Sequence, residues 1–198
     1  MKRFLVIVLF AIGSVLYAQE ETLLGDEEVS NGGFGAPVVK FTSINDQFGV
    51  LVGGRGGWII NHSFVIGGGG YGLVNEVDGT RILNGKKMLL TFGYGGFEME
   101  YIMHWEKIAH VSFYYLIGAG GVNQRENWDD WNYEWDSPNT DAFFVVEPAV
   151  NLEVNMTSFF RINLGASYRF VSGINQDNLK NADFSGPSAI LTLKFGSF

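Results

Sequence analysis

Hydrophobic and polar residues alternate strictly along residues 160–170. One face of this segment would carry only apolar or aromatic side chains, namely Phe160, Ile162, Leu164, Ala166, Tyr168 and Phe170. A period of two is that of a β-strand whose two faces meet different surroundings. Strand-like segments can be marked at 36–44, 47–60, 63–74, 86–102, 109–121, 142–155, 159–171 and 188–195. The sequence therefore predicts an all-β chain of eight strands.

The connections between these segments alternate in length. Short connections fall at 61–62, 103–108 and 156–158, and long polar ones at 75–85, 122–141 and 172–187. The tight Asn45-Asp46 connection is the exception. Alternation of this kind is typical of an up-and-down antiparallel barrel that crosses a membrane with tight turns on one side and loops on the other. Several segments are about ten residues long, which suits strands that cross a bilayer.

The first 18 residues have the pattern of a secretory signal peptide. Lys2 and Arg3 precede an apolar run, and small residues lead up to Ala18. We expect residues 19–35 to be a flexible acidic lead-in on the periplasmic side and residues 36–198 to form the barrel. No later apolar run approaches the ~20 residues of a membrane-spanning helix.

Composition narrows the function classes. The chain has a net charge of −8 and no cysteine. The acidic balance disfavours nucleic acid as a partner. The missing cysteines exclude disulfides, thiol catalysis and cysteine-ligated metals. We expect no cofactor and no metal.

The chain ends in the segment 191–198, with alternating apolar residues and a terminal phenylalanine. Together with the eight amphipathic segments, this end resembles the small eight-stranded outer-membrane barrels of Gram-negative bacteria, of OmpA/OmpX-type architecture. The resemblance covers residues 36–198 and implies outer-membrane lipid and the outer-membrane insertion machinery as partners. It also implies that Phe195 and Phe198 form the assembly signal. Phe198 has the opposite parity to Phe195, and a terminal bulge would realign it.

Aromatic residues flank the three short turns. Trp58 precedes the first, Trp105 lies in the second, and Phe159 and Phe160 border the third. We interpret them as an interfacial girdle. The alternative is the general preference of aromatic residues for strands.

Eight charged residues fall on the polar face of their strands. They are Arg55, Glu98, Glu100, Glu147, Glu153, Arg161, Arg169 and Lys194. Isolated buried charges are costly, so we expect the four bases to pair with the four acids across the lumen. The interior of an eight-stranded barrel is just wide enough for side chains to fill it. We therefore expect side chains to fill the lumen. The alternative is a narrow path for ions.

The long connection 122–141 has an unusual aromatic and acidic stretch. Its candidate recognition residues are Trp128, Asp129, Asp130, Trp131, Tyr133, Glu134, Trp135 and Asp136. Such side chains suit sugar stacking, protein contact or weak calcium binding to an unidentified surface ligand. We slightly favour the alternative that they pack on extended strands or form an outer girdle.

Two sequence patterns are similar to those of dinucleotide-binding and catalytic sites. Residues 67–72 satisfy G-x-G-x-x-G, but a strand continues after them where a dinucleotide site needs a helix. His110 and Ser112 have the spacing found in the lipid A 3-O-deacylase barrel, which uses a Ser-His-Glu triad. We interpret them as an interior polar pair, because they would lie at the periplasmic end of their strand. His62 and His104 have no second ligand nearby, so metal binding is not indicated.

These observations favour a non-enzymatic outer-membrane barrel with a filled, charged lumen and no catalytic residues. Its role would be envelope integrity, or surface recognition through the long loops. A narrow channel for small ions or solutes is the first alternative, and a lipid-modifying enzyme is the second.

Overall fold

The structure is a computed structural model, and it describes residues 30–83, 85–125, 140–175 and 178–198. Within these residues nine strands and one short helix form, in the order β1 (Asn31–Ile44), β2 (Gln47–Ile60), β3 (Phe64–Leu73), β4 (Asp78–Leu83), β5 (Lys86–Met103), β6 (Ala109–Arg125), β7 (Asp141–Asn155), β8 (Phe160–Ser172), α1 (Asn181–Phe184) and β9 (Gly186–Ser197).

Eight of the strands close into an antiparallel barrel. Each strand pairs with its neighbour in sequence, β9 pairs with β1, and β3 pairs directly with β5. The short strand β4 lies outside this ring and forms a hairpin on the end of β5. The predicted eight-stranded up-and-down barrel is therefore confirmed.

Three features differ from the predicted elements. Strand β1 begins at Asn31, so residues 31–35 pair with β2 and belong to the barrel and not to the lead-in. The glycines among residues 31–35 interrupt the alternation of apolar and polar residues, although the backbone of this segment pairs with β2. Strand β4 and helix α1 form within two long connections predicted only as loops. The signal peptide and the lead-in up to residue 29 lie outside the described residues and stay predictions.

The tight connection between β1 and β2 follows from its two residues. Asn45 and Asp46 have φ values of 49° and 58°. Two successive left-handed residues form the type I′ turn, whose twist matches that of a β-hairpin. Asparagine and aspartate tolerate this conformation better than most residues. By the strand order, this short connection lies at the same end of the barrel as the long connections.

The two faces of the strands differ as the alternation predicts. On β8, Leu164 is 59% exposed and Phe170 is 54% exposed, whereas Arg161, Asn163 and Arg169 are buried inside. Large apolar side chains cover the outside of the other strands in the same way. An apolar exterior around a polar interior is the arrangement of a barrel embedded in lipid.

None of the described residues belongs to a helix long and apolar enough to cross a membrane.

Apolar side chains form a buried cluster at each end of the described interior. At the end with the long connections, which we call the loop end, Val77, Ile174, Leu179 and Phe184 from those connections pack on residues of the strands. Phe184 of α1 stacks on Phe92, with ring centroids 5.2 Å apart. At the opposite, turn end, the apolar side chains are Phe34, Ala36, Ile59, Val65 and Ile102, with Phe198 packed against them. The polar part of the lumen lies between these two caps.

Candidate functional site: the charged interior of the barrel

All eight charged residues predicted to face inward are buried inside the barrel. Glycines on β3 make room for them. A Cβ on Gly69 would lie 2.3 Å from Oε1 of Glu98 and 3.0 Å from the Cβ of Arg55. The side chains of Arg55 on β2 and Glu98 on β5 therefore occupy the space beside Gly69, where a larger residue on β3 would collide with them.

Six of these residues form the turn-side cluster, which comprises Arg55, Glu98, Glu100, Glu153, Arg161 and Lys194. Lys194 Nζ lies 2.9 Å from Glu100 Oε1 and 2.6 Å from Glu153 Oε2. Arg55 contacts Glu98 at 2.8 Å and Glu100 at 3.0 Å. Arg161 contacts Glu153 at 2.7 Å. Each carboxylate in this cluster therefore faces at least one cation, as burial requires.

A second group, the loop-side cluster, is centred on Glu147 of β7. Lys40 Nζ donates to Glu147 Oε2 at 2.8 Å, and the hydroxyl of Tyr94 donates to the same oxygen at 2.6 Å. Ser167 donates to the other oxygen at 2.6 Å. Glu147 is thus fully satisfied without the arginines of the turn-side cluster.

Two tyrosines connect the clusters. The hydroxyls of Tyr71 and Tyr114 donate to Glu98 Oε1 at 2.8 Å and 2.6 Å. Lys40 Nζ lies 3.5 Å from the centre of the Tyr71 ring, within cation–π range. The interior is therefore one continuous polar assembly across the middle of the barrel.

Lys40 was missing from the predicted set of inward charges. It lies on β1, where Val39 and Phe41 flank it and where Val38 and Ala36 share its inward face. Most residues on both faces of β1 are apolar, so the sequence did not show whether Lys40 faces into the barrel or outward. The signal available was a lone cation in an otherwise uncharged strand.

The expectation that Arg169 pairs with a glutamate is wrong. Its Nε donates to the backbone oxygen of Phe184 at 2.7 Å, and Nη2 donates to Oγ1 of Thr42 at 3.4 Å. None of the described carboxylates is in ion-pair contact with it, since Lys40 occupies the position beside Glu147. Arg169 therefore holds the last long connection to the barrel wall.

His110 and Ser112 share the inward face of β6 but have different partners. Ser112 Oγ donates to Glu100 Oε1 at 2.5 Å, whereas the His110 ring contacts Glu153 at 3.2 Å and the backbone oxygen of Lys107 at 3.1 Å. Both side chains are buried. A serine nucleophile needs a base within hydrogen-bond reach, and here its hydrogen bond goes to a carboxylate already shared with two cations.

The aromatic residues predicted for the girdle lie at the turn end, mostly exposed on the outside of the barrel. Trp58 Nε1 donates to Asn31 at 3.0 Å, the Trp105 ring stacks on His62 at 4.1 Å, and Phe160 stacks on Phe195 at 4.8 Å. Phe159 is exposed beside them. These rings share one level of the barrel, which is where a membrane interface would lie.

The two C-terminal aromatics point in opposite directions. Phe195 is 45% exposed on the outer face. Phe198 instead turns inward, where it stacks on Phe34 and lies 3.9 Å from the Arg161 guanidinium. The register of β9 stays constant along β8 and β1, so the suggested terminal bulge is absent from this strand. The offset parity of Phe198 is explained by its place in the turn-end cap.

The aromatic and acidic stretch 127–136 lies outside the described residues. Elsewhere, among the residues that the structure describes, no group of three histidine, aspartate or glutamate side chains is placed to hold a metal ion. The G-x-G-x-x-G stretch at 67–72 lies within β3, as a strand and not as a phosphate loop.

No family model and no curated protein matches this sequence. Solved structures do match its fold. The chain is similar to the N-terminal β-barrel domain of Pseudomonas aeruginosa OprF, with a TM-score of 0.56 and 10% identity over 85% of this chain and 99% of that one. It is also similar to Neisserial surface protein A, with a TM-score of 0.58 and 10% identity over 86% of this chain and 99% of that one.

The chain therefore has the fold of the small eight-stranded outer-membrane barrels. Its apolar exterior and polar interior are those of a protein that spans the membrane with strands. Fold and exterior together are those of a barrel that is surrounded by lipid.

Proposed function

We propose that the protein is a closed, non-enzymatic outer-membrane barrel that supports the integrity of the envelope or carries its long connections to the cell surface for recognition. The observation that carries this proposal is the packing of the described interior. Apolar clusters lie at both ends, and most of the charged side chains between them are paired. Such packing of the described residues supports a barrel without substrate entry and without a continuous water path for a solute.

A deletion strain separates the two roles. It would be complemented with the unmutated protein and with a variant in which residues 127–136 are replaced by a glycine–serine linker of equal length. If both proteins restore resistance to detergents and large antibiotics, the barrel itself supports the envelope. If, in addition, only the linker variant loses surface binding, the long connection serves recognition. A deletion without any effect on the envelope or on surface binding contradicts the proposal.

The absence of lipid modification has its own test. Ser112 is bonded to Glu100 and lies inside the barrel, so we expect identical lipid A masses with and without the protein. Mass spectrometry of lipid A from both strains measures this. Loss of an acyl chain that disappears again in Ser112→Ala would make the protein an enzyme.

The insertion machinery would recognise Phe195 and not Phe198, because only Phe195 presents its ring outside the barrel. Phe195→Ala should therefore slow assembly in cells while refolding in detergent stays normal. Phe198→Ala should do the reverse, lowering the stability of the refolded barrel. Equal assembly defects for the two variants would contradict this assignment.

A further inference from the structure

The charges inside the barrel do not balance. The described interior holds the bases Lys40, Arg55, Arg161, Arg169 and Lys194 and the acids Glu98, Glu100, Glu147 and Glu153. Every base except Arg169 is in ion-pair contact with a glutamate. One positive charge is therefore left over in the described interior. A buried charge without a counter-charge is strongly unfavourable.

The surplus charge is located at Arg169, which is 0% exposed. Its Nε and Nη2 donate to uncharged oxygens of Phe184 and Thr42, and its Nη1 has no hydrogen-bond partner. The rings of Phe92 and Tyr94 lie 5.2 Å and 5.7 Å from the guanidinium. All of these neighbours are neutral, so none of them compensates the charge.

A second buried donor without a partner lies on β9, two residues along from the direct partner of Arg169. The hydroxyl of Ser188 on β9 is buried and unbonded. Ser188 is directly opposite Thr42 in the β1–β9 pairing, and Thr42 also contacts Arg169. The Thr42 hydroxyl donates to the backbone oxygen of Pro187 at 2.9 Å, so its proton is already used. Two unsatisfied donors, one of them cationic, therefore lie on the neighbouring strands β8 and β9.

The inner face of β9 is unfilled at Gly186, between the strand positions of these two donors. Gly186 is buried, faces inward, and is the direct partner of Arg169 in the β8–β9 pairing. A Cβ built on Gly186 would meet no other atom within 4 Å. By contrast, a Cβ on the inward Gly165 of the same wall would collide with Asn151. The wall therefore leaves room for additional atoms at the residue paired with Arg169.

We propose that Arg169, Ser188 and the open space at Gly186 form a buried binding site for one small monovalent inorganic anion of the halide class, next to Phe184 of helix α1. A single negative charge restores the balance of the described interior, and the free N–H and O–H groups bond to the anion. A water molecule would satisfy the donors but would leave the charge. A multiply charged phosphate or sulfate would exceed it.

The site is tested by linking anion binding to unfolding. The full-length protein, refolded in detergent micelles, is unfolded with urea in sodium chloride, sodium bromide and sodium gluconate at constant ionic strength. An anion that binds only the folded state lowers the unfolding equilibrium constant about tenfold for each tenfold rise in halide above the dissociation constant. Gluconate, which is too large for the site, should have no such effect. Halide and gluconate acting alike would overturn the proposal.

Two variants distinguish this site from general salt effects. Arg169→Met removes the surplus charge and should abolish the halide dependence. Gly186→Val keeps every polar group and fills the space, so it should abolish or strongly weaken the dependence even if Arg169→Met fails to fold. Crystals grown in bromide should show an anomalous peak beside Arg169 that is absent in Gly186→Val. Unchanged halide dependence in a folded Gly186→Val barrel, or no bromide peak, would contradict the assignment.

Discussion

Lys194 is the residue whose loss should most disturb the interior. It is 1% exposed and lies between Glu100 and Glu153, with contacts of 2.9 Å and 2.6 Å. The turn-side cluster is neutral, with three acids and three bases, and Lys194→Met leaves it with one excess negative charge. Removal of one partner from a buried ion pair costs about 3–5 kcal/mol. We expect Lys194→Met to lower the free energy of unfolding by this amount.

A second substitution should reverse most of this loss. Lys194→Met combined with Glu100→Gln leaves two pairs, Arg55 with Glu98 at 2.8 Å and Arg161 with Glu153 at 2.7 Å. Replacing both members of a buried pair by neutral groups is often close to neutral for stability. The double variant should therefore be more stable than Lys194→Met alone.

Urea unfolding in lipid vesicles, followed by tryptophan fluorescence and by heat-modifiable gel mobility, measures both variants. Lys87→Met serves as the control, because Lys87 is an exposed lysine whose contact to Asp78 is 3.6 Å long. Exposed pairs of this kind contribute about 0–1 kcal/mol. A Lys194→Met barrel as stable as the control, or a double variant less stable than the single one, would refute the charge-pairing argument.

Two further substitutions test the packing of the wall. Leu164→Arg places a charge on the lipid face and should cost roughly 2–4 kcal/mol in vesicles, whereas Leu164→Phe should refold normally; equal refolding yields on gels would show that this face does not meet lipid. Gly69→Val should destabilise the barrel by about 1–3 kcal/mol, because its Cβ would lie 2.3 Å from Glu98. Gly72→Val, where a Cβ meets nothing within 4 Å, should be tolerated, and equal urea midpoints for the two valine variants would contradict this packing.

Most of the fold could be predicted from the sequence because the two faces of a membrane strand meet such different surroundings. On β8 every second residue from Phe160 to Phe170 is apolar, and the structure puts those residues outside. Two elements, β4 and α1, could not be predicted in this way. Helix α1 spans only four residues in a polar connection, and it is held by tertiary contacts. The apolar residues Ile174, Leu179 and Phe184 in that connection were the available signal that it packs on the barrel.

The contacts inside the barrel were less predictable. The alternation along a strand shows which face a residue lies on, but not which residue it contacts. Inward parity correctly selected Arg169, yet its contact is the backbone of Phe184, which local sequence does not indicate. Lys40, which occupies the place beside Glu147, lies in a strand that is apolar on both faces. Phe198 has the wrong parity for an outer aromatic because it closes the turn end. These three cases depend on contacts between residues far apart in sequence.

Electrical recording on the unmutated protein shows whether the lumen is closed. The barrel would be reconstituted into planar bilayers and recorded over a range of voltages in salt. With apolar caps at both ends and paired charges between them, the account predicts no steady conductance above that of the bare bilayer. Regular, repeated conductance steps from the unmutated barrel would show an open water path and contradict the account.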